Sequence, residues 1–193
     1  MANNNIEIES KVLLSKKDYE KVLEKVPFGP QVKVQDNYYL DTPDRQLKKY
    51  GMMLRLRKRD GYKLTLKAPL AEGLLEKNQM LSQQEASDLI THDILPEGDI
   101  KVFLENLHFD PASMKVLAEL TTHRREGVYG GNPVNVSENT YSGKTDYELE
   151  VDSDSRAKSK AALEALCNSL DIEFRLNPLS KETRAINAAT ERK

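Results

Sequence analysis

The sequence contains a single cysteine, Cys167, among 193 residues, which excludes an internal disulfide. No apolar run approaches the roughly 20 residues that a membrane-spanning helix needs. The first residues, MANNNIEIE, have neither the basic start nor the apolar segment of a secretory signal. These absences favour a cytoplasmic protein with no membrane partner.

An excess of positive charge is also lacking. Lys and Arg total 29 and Asp and Glu total 31, which leaves a formal net charge of −2. A protein that coats nucleic acid would normally be strongly basic, so that class of partner is excluded. The hydrophobic fraction of 38% is enough for a real core, and the length suits one domain over residues 1–193.

Several catalytic motifs are missing. The GKT at 143–145 is not part of a P-loop. That motif requires a glycine at position 138, and this chain has Glu138 there. His92, His108 and His123 lack zinc-ligand spacing. No G-x-S-x-G segment is present, so a serine hydrolase of that type is not indicated.

What is present is a series of alternating segments interrupted by short helical patterns, which predicts an α+β fold with mainly antiparallel strands. Ser15 and Ser82 stand where helix N-caps are expected. Asp60–Gly61 and Gly130–Gly131 mark hairpin turns. The predicted strands cover about 6–14, 34–41, 52–59, 62–68, 76–82, 115–130, 133–143 and 144–152. Helices are predicted at about 15–26, 155–170 and 180–190, a short helical segment within 41–51, and helical patterning from Ser82 to about residue 107.

Charges are segregated by strand. Same-face residues two apart on a strand lie only about 6.5–7 Å from each other, so rows of like charge repel unless something neutralises them. A surface made only for solubility would mix the signs. The acidic rows are Glu7 and Glu9, then Asp146, Glu148, Glu150 and Asp152; the basic rows are Arg55 and Arg57, then Lys63 and Lys67.

The aliphatic sides of these strands need cover, which the amphipathic helices at 15–26 and 155–170 can supply. This predicts helices outside and charges inside, in a curved or closed sheet with a charged lumen. Carboxylates bind hard divalent cations, whereas Arg and Lys bind phosphate oxygens. A polyphosphate carrying Mg²⁺ or Mn²⁺ satisfies both sets.

These motifs resemble the CYTH domain proteins, also called triphosphate tunnel metalloenzymes, and most closely the small bacterial stand-alone members labelled YjbK-like. Four elements match in order over most of the chain. They are the E-x-E-x-K at 7–11, the paired arginines in LRLRKRDGYKLTLK, the acidic DYELEVD, and the late SKETR.

The resemblance implies a closed antiparallel eight-stranded β-barrel, the triphosphate tunnel, with helices packed outside and a terminal helix at about 180–190 contributing to the tunnel. It implies Mg²⁺ or Mn²⁺ as cofactor. It also implies hydrolysis or cyclisation at a triphosphate, with inorganic triphosphate as the favoured substrate. Alternatives are a class IV-type adenylate cyclase, a thiamine triphosphatase, or a non-catalytic sensor that binds polyphosphate or nucleotide. The oligomeric state stays open between monomer and homodimer.

The resemblance also assigns roles by position. Catalytic roles fall to Glu9, Glu148 and Glu150. The implied metal ligands are Glu7, Glu9, Glu148 and Glu150. The implied substrate-binding residues are Lys11, Arg55, Arg57, Lys63, Lys67, Arg125, Lys181 and Arg184, with Glu76 as a further acidic candidate.

Two strands depart from the family pattern. On the strand before residue 126, the side chains expected to face inward are Glu119, Thr121, His123 and Arg125, fewer of them basic than in relatives. Ser137 stands where close relatives are expected to carry an aspartate.

Overall fold

Strands and short helices alternate along residues 8–69 and 74–191, the part of the chain that the computed structural model describes. The prediction of an α+β fold is confirmed. The strands are β1 (Ile8–Leu14), β2 (Lys33–Asp41), β3 (Met53–Lys58), β4 (Tyr62–Pro69), β5 (Leu74–Leu81), β6 (Lys115–Tyr129), β7 (Asn132–Tyr141) and β8 (Lys144–Ser153). The helices are α1 (Lys16–Lys25), α2 (Gln46–Lys49), α3 (Gln83–His92), α4 (Asp99–Asn106), α5 (Arg156–Ser169) and α6 (Lys181–Glu191), with a 3₁₀ turn at Pro111–Ser113.

Helix starts follow the capping residues. The Ser15 side chain accepts a hydrogen bond from the backbone N–H of Asp18 at the start of α1. Ser82 and Glu85 form a reciprocal capping box before α3, which satisfies two of the backbone donors that a helix start leaves without an intrahelical partner. None of the helices within the described ranges is long and apolar enough to cross a bilayer.

The strands form one hydrogen-bonded sheet in the order β1-β8-β7-β6-β2-β3-β4-β5. The strand pairs within this order for which the register is established are antiparallel. Across residues 8–69 and 74–191 the order has ends at β1 and β5 and is not closed by hydrogen bonds. The eight-stranded antiparallel sheet is thus confirmed, and its closure into a barrel stays a prediction.

Residue contacts divide the chain into two compact units. Unit 1 comprises residues 35–69, 74–120 and 182–191, and unit 2 comprises residues 8–34 and 121–181. One domain over residues 1–193 stays a prediction.

The core of unit 1 lies on one side of its strands. Leu54, Leu56, Leu64 and Leu66 alternate with charged or polar residues along β3 and β4 and are at most 1% exposed. They pack with buried residues of the helices, namely Ala86 and Leu89 of α3 and Ile100 and Leu104 of α4. Burying each such leucine contributes about 1.5–3 kcal/mol of transfer free energy.

Unit 2 has its own core. The buried aliphatic side chains of β1, β7 and β8 pack with Val22 of α1 and with Leu163, Leu166 and Cys167 of α5. The predicted cover by these two helices is therefore confirmed for this unit.

Two-residue turns connect the last three strands. Gly130 and Gly131 have φ of 56° and 79°, and Ser142 and Gly143 have φ of 45° and 71°. Positive φ at both central residues is typical of the type I′ hairpin. The turns join Tyr129 to its partner Asn132 and Tyr141 to its partner Lys144.

Candidate functional site

One face of β8 carries acidic side chains at alternate positions from Asp146 to Asp152. In the middle of the strand Glu148 and Glu150 are 0% and 2% exposed, and the intervening Leu149 is also 0% exposed. Leu149 belongs to the core on the opposite face. Two buried carboxylates on adjacent same-face positions are costly unless charged partners compensate them.

Cations supply that compensation. The ammonium of Lys181 lies 2.7 Å from Glu150 Oε1 and also pairs with Glu148 Oε1. The guanidinium of Arg124 pairs with Glu150 Oε2. Burial alone would raise the pKa of Glu150, but the charges of Lys181 and Arg124 outweigh it and hold that pKa well below its ordinary value. Burial likewise opposes the charge of Lys181, and the two glutamates raise its pKa.

Uncharged groups donate hydrogen bonds to Asp146 and Asp152, the acidic residues at the two ends of this row. The Asn139 amide donates to Asp146 Oδ1 at 2.9 Å, and the Tyr141 hydroxyl donates to Asp146 Oδ2 at 2.6 Å. The Asn135 amide donates to Asp152 Oδ2 at 3.1 Å. The inner acids therefore have cationic partners, and uncharged groups donate hydrogen bonds to Asp146 and Asp152.

Strand β1 adds to this face. Lys11 lies opposite Glu150 and Glu9 lies opposite Asp152, so their side chains point to the acidic side of the sheet. Lys11 Nζ lies 3.1 Å from Glu9 Oε1. Ser10 points the other way, and its Oγ lies 2.8 Å from Ser159 Oγ of α5. The remaining implied ligand of this strand, Glu7, lies outside the described residues.

The prediction for β6 is wrong by one residue. Arg124 lies opposite Ser137, which lies opposite Glu148, so Arg124 is on the acidic face. Arg125 lies opposite Val136, a core residue, and it acts electrostatically on Tyr19 of α1. Arg125 is therefore on the helix-covered side and is not part of this site.

The other three side chains expected to face inward from β6 share that error. Thr121 and His123 have the same parity as Arg125, because side chains alternate between the two faces of a strand. Glu119 lies near Tyr38 and contributes to the raised pKa of that phenol, and Tyr38 packs against the core of unit 1. Thr122, by contrast, donates to Asn139 Oδ1 at 2.9 Å on the acidic face.

Unit 1 carries the basic face. Arg55 lies between Tyr39 and Thr65 on the neighbouring strands. Arg57 lies opposite Lys63, and its Nε donates to Asn37 Oδ1 at 3.1 Å. This face also carries Lys67, so all four predicted basic residues of β3 and β4 lie on one side, opposite the buried leucines.

Glu76 of β5 joins this face. It lies opposite Lys67, and its Oε2 lies 3.3 Å from Lys67 Nζ. The Asn78 amide donates to Glu76 Oε1 at 2.9 Å. Burial opposes the ionised form, yet Asn78 and the lysines lower the pKa of Glu76 below its ordinary value. Glu76 is therefore an anionic member of a mainly cationic surface.

The start of α6 contributes to unit 1 through Glu182, a residue that the sequence did not single out. Burial raises the pKa of this carboxyl against the opposing effect of Lys48, Arg45 and Arg55. Arg184, two residues further along α6, is 8% exposed, so most of its surface is removed from solvent.

The donor chemistry of the acidic face suits a hard divalent cation. Carboxylate oxygens are the ligands that Mg²⁺ and Mn²⁺ prefer, and Glu9, Glu148 and Glu150 present them on one face. Within residues 8–69 and 74–191, no three or more His, Cys, Asp or Glu side chains are grouped to hold a metal ion. The residues fit the metal by type, and Lys181 provides the positive charge between the two buried glutamates.

Comparisons with known proteins identify relatives of this chain. The CYTH domain profile matches residues 5–186. The chain is 33% identical over 175 residues to the Bacillus subtilis protein named "Putative triphosphatase YjbK", and the match covers 90% of each chain.

Solved structures give the same fold. A protein from Bacillus halodurans described as a "putative adenylate cyclase" superposes with a TM-score of 0.80 at 31% identity, covering 93% of this chain and 97% of the other. A "Putative adenylyl cyclase" from Hippeastrum, described as having a dominant triphosphatase activity, superposes with a TM-score of 0.76 at 22% identity, covering 91% and 93%. At that identity the second structure supports the fold alone.

Proposed function

The chain belongs to the CYTH domain family, and from that premise we propose that it hydrolyses a triphosphate with the help of Mg²⁺ or Mn²⁺, with inorganic triphosphate as the substrate. The observation that carries the proposal is the pair of buried glutamates, Glu148 and Glu150, held to Lys181 and Arg124. A fold has little structural reason to bury such a charge cluster, since apolar side chains of similar volume often stabilise as well.

The basic and the acidic side chains have different roles in this proposal. The residues proposed to bind phosphate oxygens are those that the family resemblance implies, with Arg124 in place of Arg125: Lys11, Arg55, Arg57, Lys63, Lys67, Arg124, Lys181 and Arg184. Glu9, Glu148 and Glu150, with Glu7, would hold the divalent cation. When bound, that cation would neutralise charge that develops on the transferred phosphoryl group. The closed tunnel that the family resemblance implies, a single domain and a cytoplasmic location are part of this proposal.

The reaction is an in-line displacement at the terminal phosphorus. A water oxygen forms the new bond to phosphorus while the bridging P–O bond breaks, and pyrophosphate leaves. Glu148 accepts the proton of the attacking water. Glu150 stays ionised because its pKa is held low, so it serves as an anionic anchor for Lys181 and Arg124.

A second candidate is cyclisation of a nucleoside triphosphate, which the 31% identical Bacillus halodurans protein favours through its description. A phosphate-release assay with Mg²⁺ or Mn²⁺ and a panel of inorganic triphosphate, thiamine triphosphate and ATP separates the two. We expect orthophosphate and pyrophosphate from inorganic triphosphate. Cyclic AMP with pyrophosphate from ATP would instead establish the cyclase, and no turnover of any panel member would contradict both.

A further inference from the structure

Ser137 occupies the centre of the charged row in unit 2. Ser137 is on β7, where it lies opposite Arg124 of β6 on one side and opposite Glu148 of β8 on the other. Directly opposed residues of antiparallel strands have Cβ atoms about 4.5–5.5 Å apart on the same face. Ser137 is thus the small polar residue between a guanidinium and a carboxylate, and it is 0% exposed.

Two donors in this row have no hydrogen-bond partner among the residues that the structure describes. They are the Ser137 hydroxyl and the Nε of Arg124, and both atoms are buried. Leaving a buried donor unsatisfied costs about 1–3 kcal/mol, so native folds seldom retain two of them side by side. Since both groups can donate a hydrogen bond, an oxygen that only accepts would satisfy both.

We infer that Ser137 and Arg124 form a subsite for one phosphoryl oxygen of the triphosphate, with the Ser137 hydroxyl and Arg124 Nε as its donors. The inference rests on the proposed function and adds Ser137 as a substrate-positioning residue. A phosphoryl oxygen is an anionic acceptor, and hydrogen bonds from a guanidinium and a hydroxyl to such an oxygen are charge-assisted.

The test compares wild-type protein with Ser137→Ala and with the matched control Ser10→Ala. Ser10 is another buried serine of unit 2, but it lies on the opposite face and its hydroxyl is already bonded to Ser159. Isothermal titration with sodium tripolyphosphate, first without divalent cations and then with Mg²⁺, gives the affinity. Thermal unfolding gives the stability.

We expect Ser137→Ala to weaken tripolyphosphate binding roughly 10-fold or more while leaving the melting temperature of the free protein unchanged or higher, since an unsatisfied hydroxyl is removed. Ser10→Ala should do the reverse, lowering the melting temperature and leaving the affinity unchanged.

If Ser137→Ala bound tripolyphosphate with the same affinity as the wild-type protein, the inference would be wrong and the proposed function would still stand. A clear loss of stability in Ser137→Ala would also overturn it, because the hydroxyl would then have a structural partner. No tripolyphosphate binding by wild-type protein in either buffer would overturn the proposed function and this inference together.

Discussion

The ammonium of Lys181 lies 2.7 Å from Glu150 Oε1 in a site where the Glu150 side chain is only 3% exposed. The same ammonium pairs with Glu148, so one lysine at the start of α6 compensates two buried carboxylates of β8. An ion pair in this environment differs from a surface pair, because removing one partner leaves the other charged and buried.

Replacing Lys181 by methionine should therefore destabilise the protein by about 3–5 kcal/mol, the usual cost of breaking a buried pair. The measurement is urea unfolding at neutral pH. Lys158→Met is the matched control, since Lys158 pairs with Asp154 at 2.6 Å but its side chain is 67% exposed, and such pairs contribute about 0–1 kcal/mol. Equal losses in the two variants would contradict the assigned role of Lys181.

Arg124 and Arg125 are adjacent in sequence and face opposite sides of β6, which makes them a matched pair. Arg124→Ala should lower kcat/KM for inorganic triphosphate by about 100-fold, the equivalent of a lost charged hydrogen-bonding group of roughly 3 kcal/mol. Arg125→Ala should stay within about 3-fold of wild type. Steady-state kinetics check both, and a larger loss in Arg125→Ala would show that the strand register described above does not hold in the working enzyme.

The low pKa of Glu150 predicts a loss of stability in acid. In the unfolded chain this carboxyl takes up a proton near its ordinary pKa of 4.5, whereas in the folded protein it does so only at lower pH. Its contribution is therefore present above about 4.5 and declines as the pH falls through and below that value.

Chemical unfolding between pH 7 and pH 2 measures this effect. Glu150→Gln should be less stable than wild type at pH 7, because Lys181 and Arg124 lose a partner. The difference between the two proteins should shrink as the pH falls. A constant difference across the range would mean that Glu150 has no depressed pKa.

Cys167 offers a readout of the core of unit 2. Burial raises the pKa of its thiol to about 11, and the residue is 0% exposed, so little reactive thiolate exists at pH 8. A thiol-specific colour reagent should react with one equivalent after unfolding in guanidinium and far more slowly in the folded protein. Fast reaction in native buffer at pH 8 would contradict the burial of α5 on the sheet.

The raised pKa also predicts an effect of alkaline pH. Between about pH 9, the pKa of the thiol in the unfolded chain, and about pH 11, its pKa in the folded protein, the thiol ionises only in the unfolded state and the stability should fall.

The sequence predicted most strands and helices because the local patterns, alternation and helix capping, agree with the side chains that the fold buries. Leu54 and Leu56 alternate with charged residues on β3 and proved to be core, and Ser82 with Glu85 formed the expected capping box. The alternation also placed Glu148 and Glu150 on one face. What it could not show is that both are buried, since burial depends on the whole sheet.

The missed residues have specific causes. The predicted inward-facing residues of β6 follow the family resemblance, whereas the tight turns at Gly130–Gly131 and Ser142–Gly143 fix which residues face each other across β6, β7 and β8. Those turns place Arg124, Ser137 and Glu148 in one row, and that signal was available in the sequence. Glu182 could not have been found in this way, because its neighbours Lys48, Arg45 and Arg55 come from distant parts of the chain.

The two tight turns also bear on the order of folding. Each closes the shortest possible loop, so pairing β6 with β7 and β7 with β8 costs little chain entropy. β1 must return across more than a hundred residues to reach its partner β8. The hairpins that carry Arg124, Ser137, Glu148 and Glu150 can therefore assemble early from local contacts, before β1 and Lys181 arrive to complete the charge balance.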